Sequence, residues 1–174
     1  MALPITASRR QPSKNMKDMA AGGAGRAGQR AASVAMQTLS DDECWEHLRA
    51  HQLGRIAIVV AGLPKIFPVN YSAGEGAIVF RSDPGSKLAH GPGSPACFEV
   101  DDYNPSSGIG WSVMVSGRLE DITGADDPVS ARLRTLGVEP LAPGRRLHWL
   151  ALRADELSGR TFRSGWAIPG AFLG

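Results

Sequence analysis

From residue 40 onward, short apolar segments alternate with turns that contain glycine or proline, which is typical of a protein built mainly from β-strands. The apolar segments predict strands at residues 55–61, 65–71, 77–81, 96–101, 111–123 and 147–152. Tight turns join most of them, so we expect a mainly antiparallel sheet. Six strands of this length tend to close into a small barrel, because closure removes exposed sheet edges.

A few short helices are predicted to flank the sheet. Residues 40–43 read Ser-Asp-Asp-Glu, a capping box that predicts a helix ending near His51. Asp127 and Pro128 predict the start of another helix, because proline is favoured at the first helical position. Gly117 predicts a bulge within a long strand. The predicted fold is therefore mainly β with flanking helices.

The first 37 residues differ from the rest in composition and charge. They carry six basic residues against one acidic residue, and residues 20–32 are almost entirely Ala, Gly, Arg and Gln. Such a segment has no apolar face to bury, so we predict a disordered basic tail at 1–37 and one folded domain at 38–174. The whole chain has a net charge of only +2, so the excess of basic residues in the tail leaves the domain itself mildly acidic. An acidic domain disfavours nucleic-acid binding. We expect a cytoplasmic protein without a membrane anchor, since no apolar run approaches the roughly 18 residues of a membrane span.

The turn after the third predicted strand has the composition of a phosphate site. Arg81 and Lys87 supply two cations, and Gly85 allows the backbone to approach a ligand closely. Amide groups at the start of a helix also favour an anion. The alternative is an ordinary loop with solvated cations. The residues assigned to this turn are Arg81, Ser82, Ser86, Lys87 and Leu88.

Two further segments could form the rest of a ligand site. Pro68 interrupts a strand ladder and predicts an edge or a bulge, where backbone groups can meet the edge of a flat ring. The segment Pro68, Val69, Asn70 and Tyr71 is the candidate, and Asn70 can both donate and accept. Trp111 with Ser112, and Trp149 on the last strand, could line a ring-binding cleft, although core packing explains both tryptophans equally well. No catalytic side chain and no metal-ligand spacing are evident, which suits a cofactor that supplies its own chemistry.

The order of these motifs resembles the pyridoxamine 5′-phosphate oxidase-like family, and most closely its nitroimidazole-resistance reductase branch. The resemblance covers about residues 38–166. The motifs that carry it are Glu-Cys-Trp at 43–45, Gly-Arg-Ile-Ala at 54–57, Pro-Val-Asn-Tyr at 68–71, Phe-Arg-Ser at 80–82, Gly-Ser-Lys-Leu at 85–88, Phe-Glu-Val-Asp at 98–101 and Gly-Trp-Ser-Val at 110–113.

This resemblance implies an FMN-binding split β-barrel and a homodimer with FMN at the subunit interface. It assigns the FMN phosphate to Arg81, Ser82 and Lys87, and the flavin ring to residues 68–71, with Trp111, Ser112 and Trp149 completing the cleft. The C-terminal Arg-x-Trp pattern of true pyridoxamine phosphate oxidases is not found, so vitamin B6 oxidation is not the expected reaction.

The expected function is therefore an FMN-dependent oxidoreductase that acts on a small planar organic substrate, with NADH or NADPH as a possible hydride donor. Two alternatives stay open at this point. One is a reductase that uses the deazaflavin coenzyme, whose longer acidic tail requires an extended basic groove. The other is a flavin- or haem-binding protein that senses or stores its ligand without turnover, in which case His148 or His90 could matter.

Overall fold

The computed structural model describes residues 35–85, 90–138 and 146–163. The helices with described bounds are α1 (Asp41–Ala50) and α2 (Pro128–Arg134). The strands are β1 (Ala35–Thr38), β2 (Leu53–Val60), β3 (Leu63–Gly74), β4 (Ala77–Ser82), β5 (Pro95–Asn104), β6 (Ile109–Asp121) and β7 (His148–Arg163).

All strand pairs are antiparallel, and the strands form a closed barrel. The sheet order is β1-β7-β4-β3-β2-β5-β6, and a further pairing of β6 with β7 closes the ring. Within the described residues, six strands thus make the barrel and β1 adds to the edge of β7. The predicted mainly antiparallel split-barrel architecture is confirmed.

Strand β1 corrects the predicted start of the domain. Ala35 lies opposite Arg163 and Thr38 lies opposite Arg160, so residues 35–37 belong to the sheet rather than to the tail. Backbone pairing with β7 orders this segment, and its side chains carry no alternating pattern that would have revealed it. The predicted disorder of residues 1–34 lies outside the described residues.

Strand β7 is much longer than the predicted strand at 147–152, and it contains the irregularity expected near Gly117. Ser116 pairs with Glu156 and Gly117 pairs with Ala154, so Asp155 is the extra residue. A Cβ atom at position 117 would lie 1.8 Å from the carbonyl oxygen of Arg153. The bulge prediction is confirmed in place, but the additional residue is on the partner strand.

The apolar side chains fill the barrel and one layer outside it. The interior is closed at one end by α1, whose Cys44 and Leu48 are buried. Both bonds of the predicted capping box between Ser40 and Glu43 are present. A second cluster packs Leu133 of α2 against the exterior of β4 and β7. The interior cluster comprises Cys44, Leu48, Ile56, Ile58, Val69, Tyr71, Ile78, Phe80, Ala96, Phe98, Val100, Val113, Val115, Leu119, Leu150 and Leu152.

Candidate functional site

Strand β3 pairs with β4 over only part of its length. Residues 71–74 pair with β4, but residues 63–70 pair only with β2 among the described strands. Pro68 lies in this second segment, which confirms that it marks an edge. If the β3–β4 register continued, Asn70 would be level with Arg81. The two predicted parts of the site are therefore neighbours at the point where β3 and β4 stop pairing, which we call the β3–β4 opening.

Arg81 and Trp149 form the best-defined contact at this opening. They are opposite each other in the β4–β7 ladder, and the Arg81 guanidinium carbon lies 5.3 Å from the centre of the Trp149 ring. The Nε group of Arg81 donates to the carbonyl oxygen of Arg146 over 2.8 Å. Both Arg81 and Trp149 are half-buried. A cation held over an aromatic face by a second contact is well placed to bind an anion.

Ser82 does not share a face with Arg81. It lies on the interior side of β4, opposite His148, and is only 3% exposed. Its hydroxyl donates to the carbonyl oxygen of Asp83 over 3.0 Å. The predicted contact of Ser82 with the same phosphate as Arg81 is therefore not favoured by this geometry. Ser86, Lys87 and Leu88 lie outside the described residues, and their assignment stays a prediction.

The segment at 68–71 divides between the two faces of β3. Val69 and Tyr71 are 3% and 2% exposed and belong to the barrel core. The Tyr71 hydroxyl donates to the carbonyl oxygen of Leu48 over 2.8 Å, and burial raises the pKa of this phenol. At the β3 edge these two residues can therefore offer a ligand only their backbone groups.

Asn70 faces the exterior and borders a polar pocket of about 350 Å³. Its side-chain amide donates to the carbonyl oxygen of Gln52 over 3.2 Å, and the Tyr71 amide donates to the same oxygen over 3.0 Å. The pocket is of the size of small-ligand sites. Sequence reasoning missed Gln52, because only its backbone carbonyl takes part. The lining residues are Gln52, Asn70, Tyr71, Ser72 and Gly137.

Changing Tyr71 to phenylalanine tests this division of faces. We expect the free energy of unfolding to fall by about 0.5–1.5 kcal/mol or slightly more, because the change removes one buried hydrogen bond and leaves the Leu48 carbonyl without that donor. Affinity for any ligand at the β3 edge should stay within about twofold, which denaturant unfolding and a ligand titration would measure. A loss of affinity with unchanged stability would instead place the phenol in the site.

Trp111 and Ser112 point to opposite faces of β6, so the two side chains cannot line one cleft within a protomer. Trp111 packs against the interior cluster, and its ring stacks on His47 of α1 with 4.0 Å between ring centres. Burial lowers the pKa of His47. Ser112 faces the exterior, opposite Asp101 and Arg160. A cofactor role for either residue alone stays a prediction.

An Asp–His pair lies beside the same end of β4. The Nδ1 atom of His148 is buried and 3.6 Å from a carboxylate oxygen of Asp121, and no hydrogen-bond partner lies nearer among the described residues. Burial alone would raise the pKa of Asp121, but the hydrogen bonds that Thr123 donates, together with the proximity of the His148 ring, outweigh burial and leave this pKa below its ordinary value. In the described ranges, no three His, Cys, Asp or Glu side chains are grouped as metal ligands. No helix in these ranges could span a membrane.

The match to a family model extends over the barrel just described. Residues 40–161 match the model described as pyridoxamine 5′-phosphate oxidase. The chain belongs to this family. The matched range runs from the cap of α1 almost to the end of β7, so it includes both sides of the β3–β4 opening. The expected family resemblance is confirmed.

Two solved structures are similar to this chain over most of its length. An FAD binding protein from Mycobacterium smegmatis is 30% identical, with a TM-score of 0.62, and the match covers 73% of this chain and all of that one. A candidate pyridoxamine 5′-phosphate oxidase from Corynebacterium glutamicum is 27% identical, with a TM-score of 0.61, and coverages of 75% and 96%.

Two other likenesses are more limited. The uncharacterized protein Rv0080 of Mycobacterium tuberculosis is 31% identical over 91 residues, which are 49% of this chain and only 60% of that protein. A candidate 5-nitroimidazole antibiotic resistance protein from Bacteroides thetaiotaomicron shares the fold at 14% identity, with a TM-score of 0.54 and coverages of 75% and 89%.

Proposed function

We propose that this protein binds a flavin nucleotide, FMN, at the opening between β3 and β4. The observation that carries the proposal is Arg81, held over Trp149 and bonded to the Arg146 carbonyl, beside the segment of β3 that does not pair with β4. A phosphate requires a fixed cation, and the edge of an isoalloxazine ring requires backbone donors and acceptors. Both lie at this opening. The similar FAD binding protein from M. smegmatis supports a flavin rather than an unrelated anion.

Each residue of the opening has a defined part in this proposal. Arg81 binds the phosphate, and Lys87 is the second cation that we predict for it. The backbone of residues 68–71 meets the polar edge of the ring, while Asn70 and the pocket beside Gln52 receive polar groups of the ligand. Trp149 keeps the guanidinium oriented and limits its hydration.

We further propose an oxidoreductase reaction with a small planar organic substrate. When bound, the flavin supplies the electron transfer, with a reduced nicotinamide as hydride donor. The protein would bind and orient the reactants and exclude water, which agrees with the absence of a catalytic residue in the sequence prediction.

We also propose that a second copy of the chain covers the exterior of β2 and β3. Leu53, Val59 and Ile66 are 57%, 54% and 68% exposed there. They lie on one face of the β2–β3 ladder, and exposed apolar groups collected on one face are typical of an interaction surface. A homodimer that buries this face would extend over the neighbouring β3 edge and help to enclose a bound ring.

An absorbance spectrum tests the proposed function. After the chain is mixed with FMN and the excess is removed, we expect absorbance bands at about 375 and 450 nm from the retained flavin, which a reduced nicotinamide then bleaches. Light scattering on the same sample should give twice the 18.4 kDa mass of one chain. A colourless protein that retains no flavin would contradict the proposal, and retained flavin that no nicotinamide reduces would limit it to binding.

A further inference from the structure

We propose that Asp83 and the backbone of Arg146 form a relay that positions the Arg81 guanidinium for the 5′-phosphate group of its ligand. This inference rests on the proposed flavin site and adds two positioning residues to it. Neither residue is a predicted site residue, and neither needs to touch the ligand.

The relay consists of two hydrogen bonds that meet at one peptide segment. A carboxylate oxygen of Asp83 accepts from the amide of Arg146. The carbonyl oxygen of Arg146 accepts from Nε of Arg81 over 2.8 Å. Asp83 follows β4 by one residue, and Arg146 precedes β7 by two, so the relay connects the ends of the two strands that carry Arg81 and Trp149.

Arg146 makes both hydrogen bonds although its backbone conformation is unfavourable for a residue other than glycine. Its φ angle is +37°, in the left-handed region that non-glycine residues rarely adopt. The two hydrogen bonds hold Arg146 at its amide and at its carbonyl, and so account for its positive φ angle. Backbone strain of this kind persists where neighbouring contacts hold the residue in place, and such residues are frequent in ligand-binding segments.

The consequence of the relay is a fixed orientation of the guanidinium plane. The Nε bond to Arg146 and the contact with Trp149, 5.3 Å from the guanidinium carbon, constrain Arg81 from two directions. A planar fork that is already oriented loses less conformational freedom when it binds a phosphate. Replacing Asp83 should allow the backbone at Arg146 to move, and the Arg81 guanidinium should then lose its fixed orientation.

The test compares FMN with riboflavin, which has the same ring but no phosphate. Fluorescence titrations of the chain would give both dissociation constants for the native protein and three variants. We expect Asp83→Ala to weaken FMN binding about tenfold while riboflavin binding changes less than about twofold. Asp83→Asn should restore most of the FMN affinity, because its amide oxygen can still accept from Arg146. Asp102→Ala, an exposed aspartate at the far end of β5, is the matched control and should change neither constant.

Arg146→Gly separates the backbone of Arg146 from its side chain. Glycine adopts a positive φ readily, so the relay should persist and FMN affinity should stay within about twofold. A tenfold, FMN-specific loss would assign the contact to the Arg146 side chain and overturn the backbone relay. Equal losses of FMN and riboflavin in Asp83→Ala, or no loss, would also overturn it. A native chain that binds neither ligand would refute the flavin site itself, which is a distinguishable result.

Discussion

Replacing Arg81 with alanine should lower the affinity for FMN by about 1.5–3 kcal/mol, or roughly 10- to 150-fold, as expected for loss of a charge-assisted contact. The reason is that Arg81 is a cation at the opening whose guanidinium is held by Trp149 and by the Arg146 carbonyl. Riboflavin binding should change little, because the proposal places the ring at the β3 edge, away from Arg81. Isothermal titration with both ligands would measure the difference.

A second arginine provides the control for this change. Arg132 of α2 is an exposed arginine, 3.0 Å from a carboxylate oxygen of Glu75. Exposed ion pairs contribute little, so Arg132→Ala should leave both affinities and most of the stability unchanged. If Arg81→Ala binds FMN as tightly as the native chain, the phosphate is not at this end of β4, and the proposed placement of the cofactor is wrong.

Replacing Phe98 with alanine should lower the free energy of unfolding by about 3–5 kcal/mol, the range for removing a large buried aromatic side chain. Phe98 is fully buried and packs edge-on against Tyr71, with 4.7 Å between ring centres. Its ring also lies over Gly54, where an added Cβ atom would be 2.2 Å from it. Denaturant unfolding monitored by circular dichroism would measure the loss.

A double-mutant cycle tests whether the Phe98 ring is the reason that position 54 is glycine. In the native background Gly54→Ala should cost about 1–3 kcal/mol, because the new methyl group overpacks the barrel interior. In the Phe98→Ala background the same change should cost clearly less, since the cavity accepts the methyl group. Strictly additive costs would show that the conflict at Gly54 is with something other than this ring.

Much of the barrel could be predicted because its signals are local. Ile- and Val-rich segments with tight turns predict β2 to β6, and the capping box predicts α1. The second half of β7 could not be predicted in this way, since residues 153–163 carry only two large apolar side chains, Leu157 and Phe162, and show no alternation. They form a strand because residues 109–118 of β6 pair with them, and the register shifts by one residue at Asp155.

The sequence placed the candidate residues on neighbouring strands but could not give the direction of each side chain. Pro68 and Arg81 indicate an edge and a cation from sequence alone, and the structure places their strands side by side. Which neighbours share a face depends on strand register, which explains why Trp111 and Ser112 diverge and why Tyr71 points into the core. Asp83 and Arg146 gave no signal, because their contribution depends on backbone groups that only the folded chain brings together.

A crystal structure of the chain with FMN would show where the phosphate and the ring bind. We expect a phosphate oxygen within about 2.7–3.2 Å of the Arg81 guanidinium, the ordinary hydrogen-bond range, and the polar edge of the ring against the backbone of residues 68–71. FMN bound elsewhere would contradict this expectation, for example in the largely apolar exterior groove of about 440 Å³ that Ala57, Cys97 and Glu156 help to line.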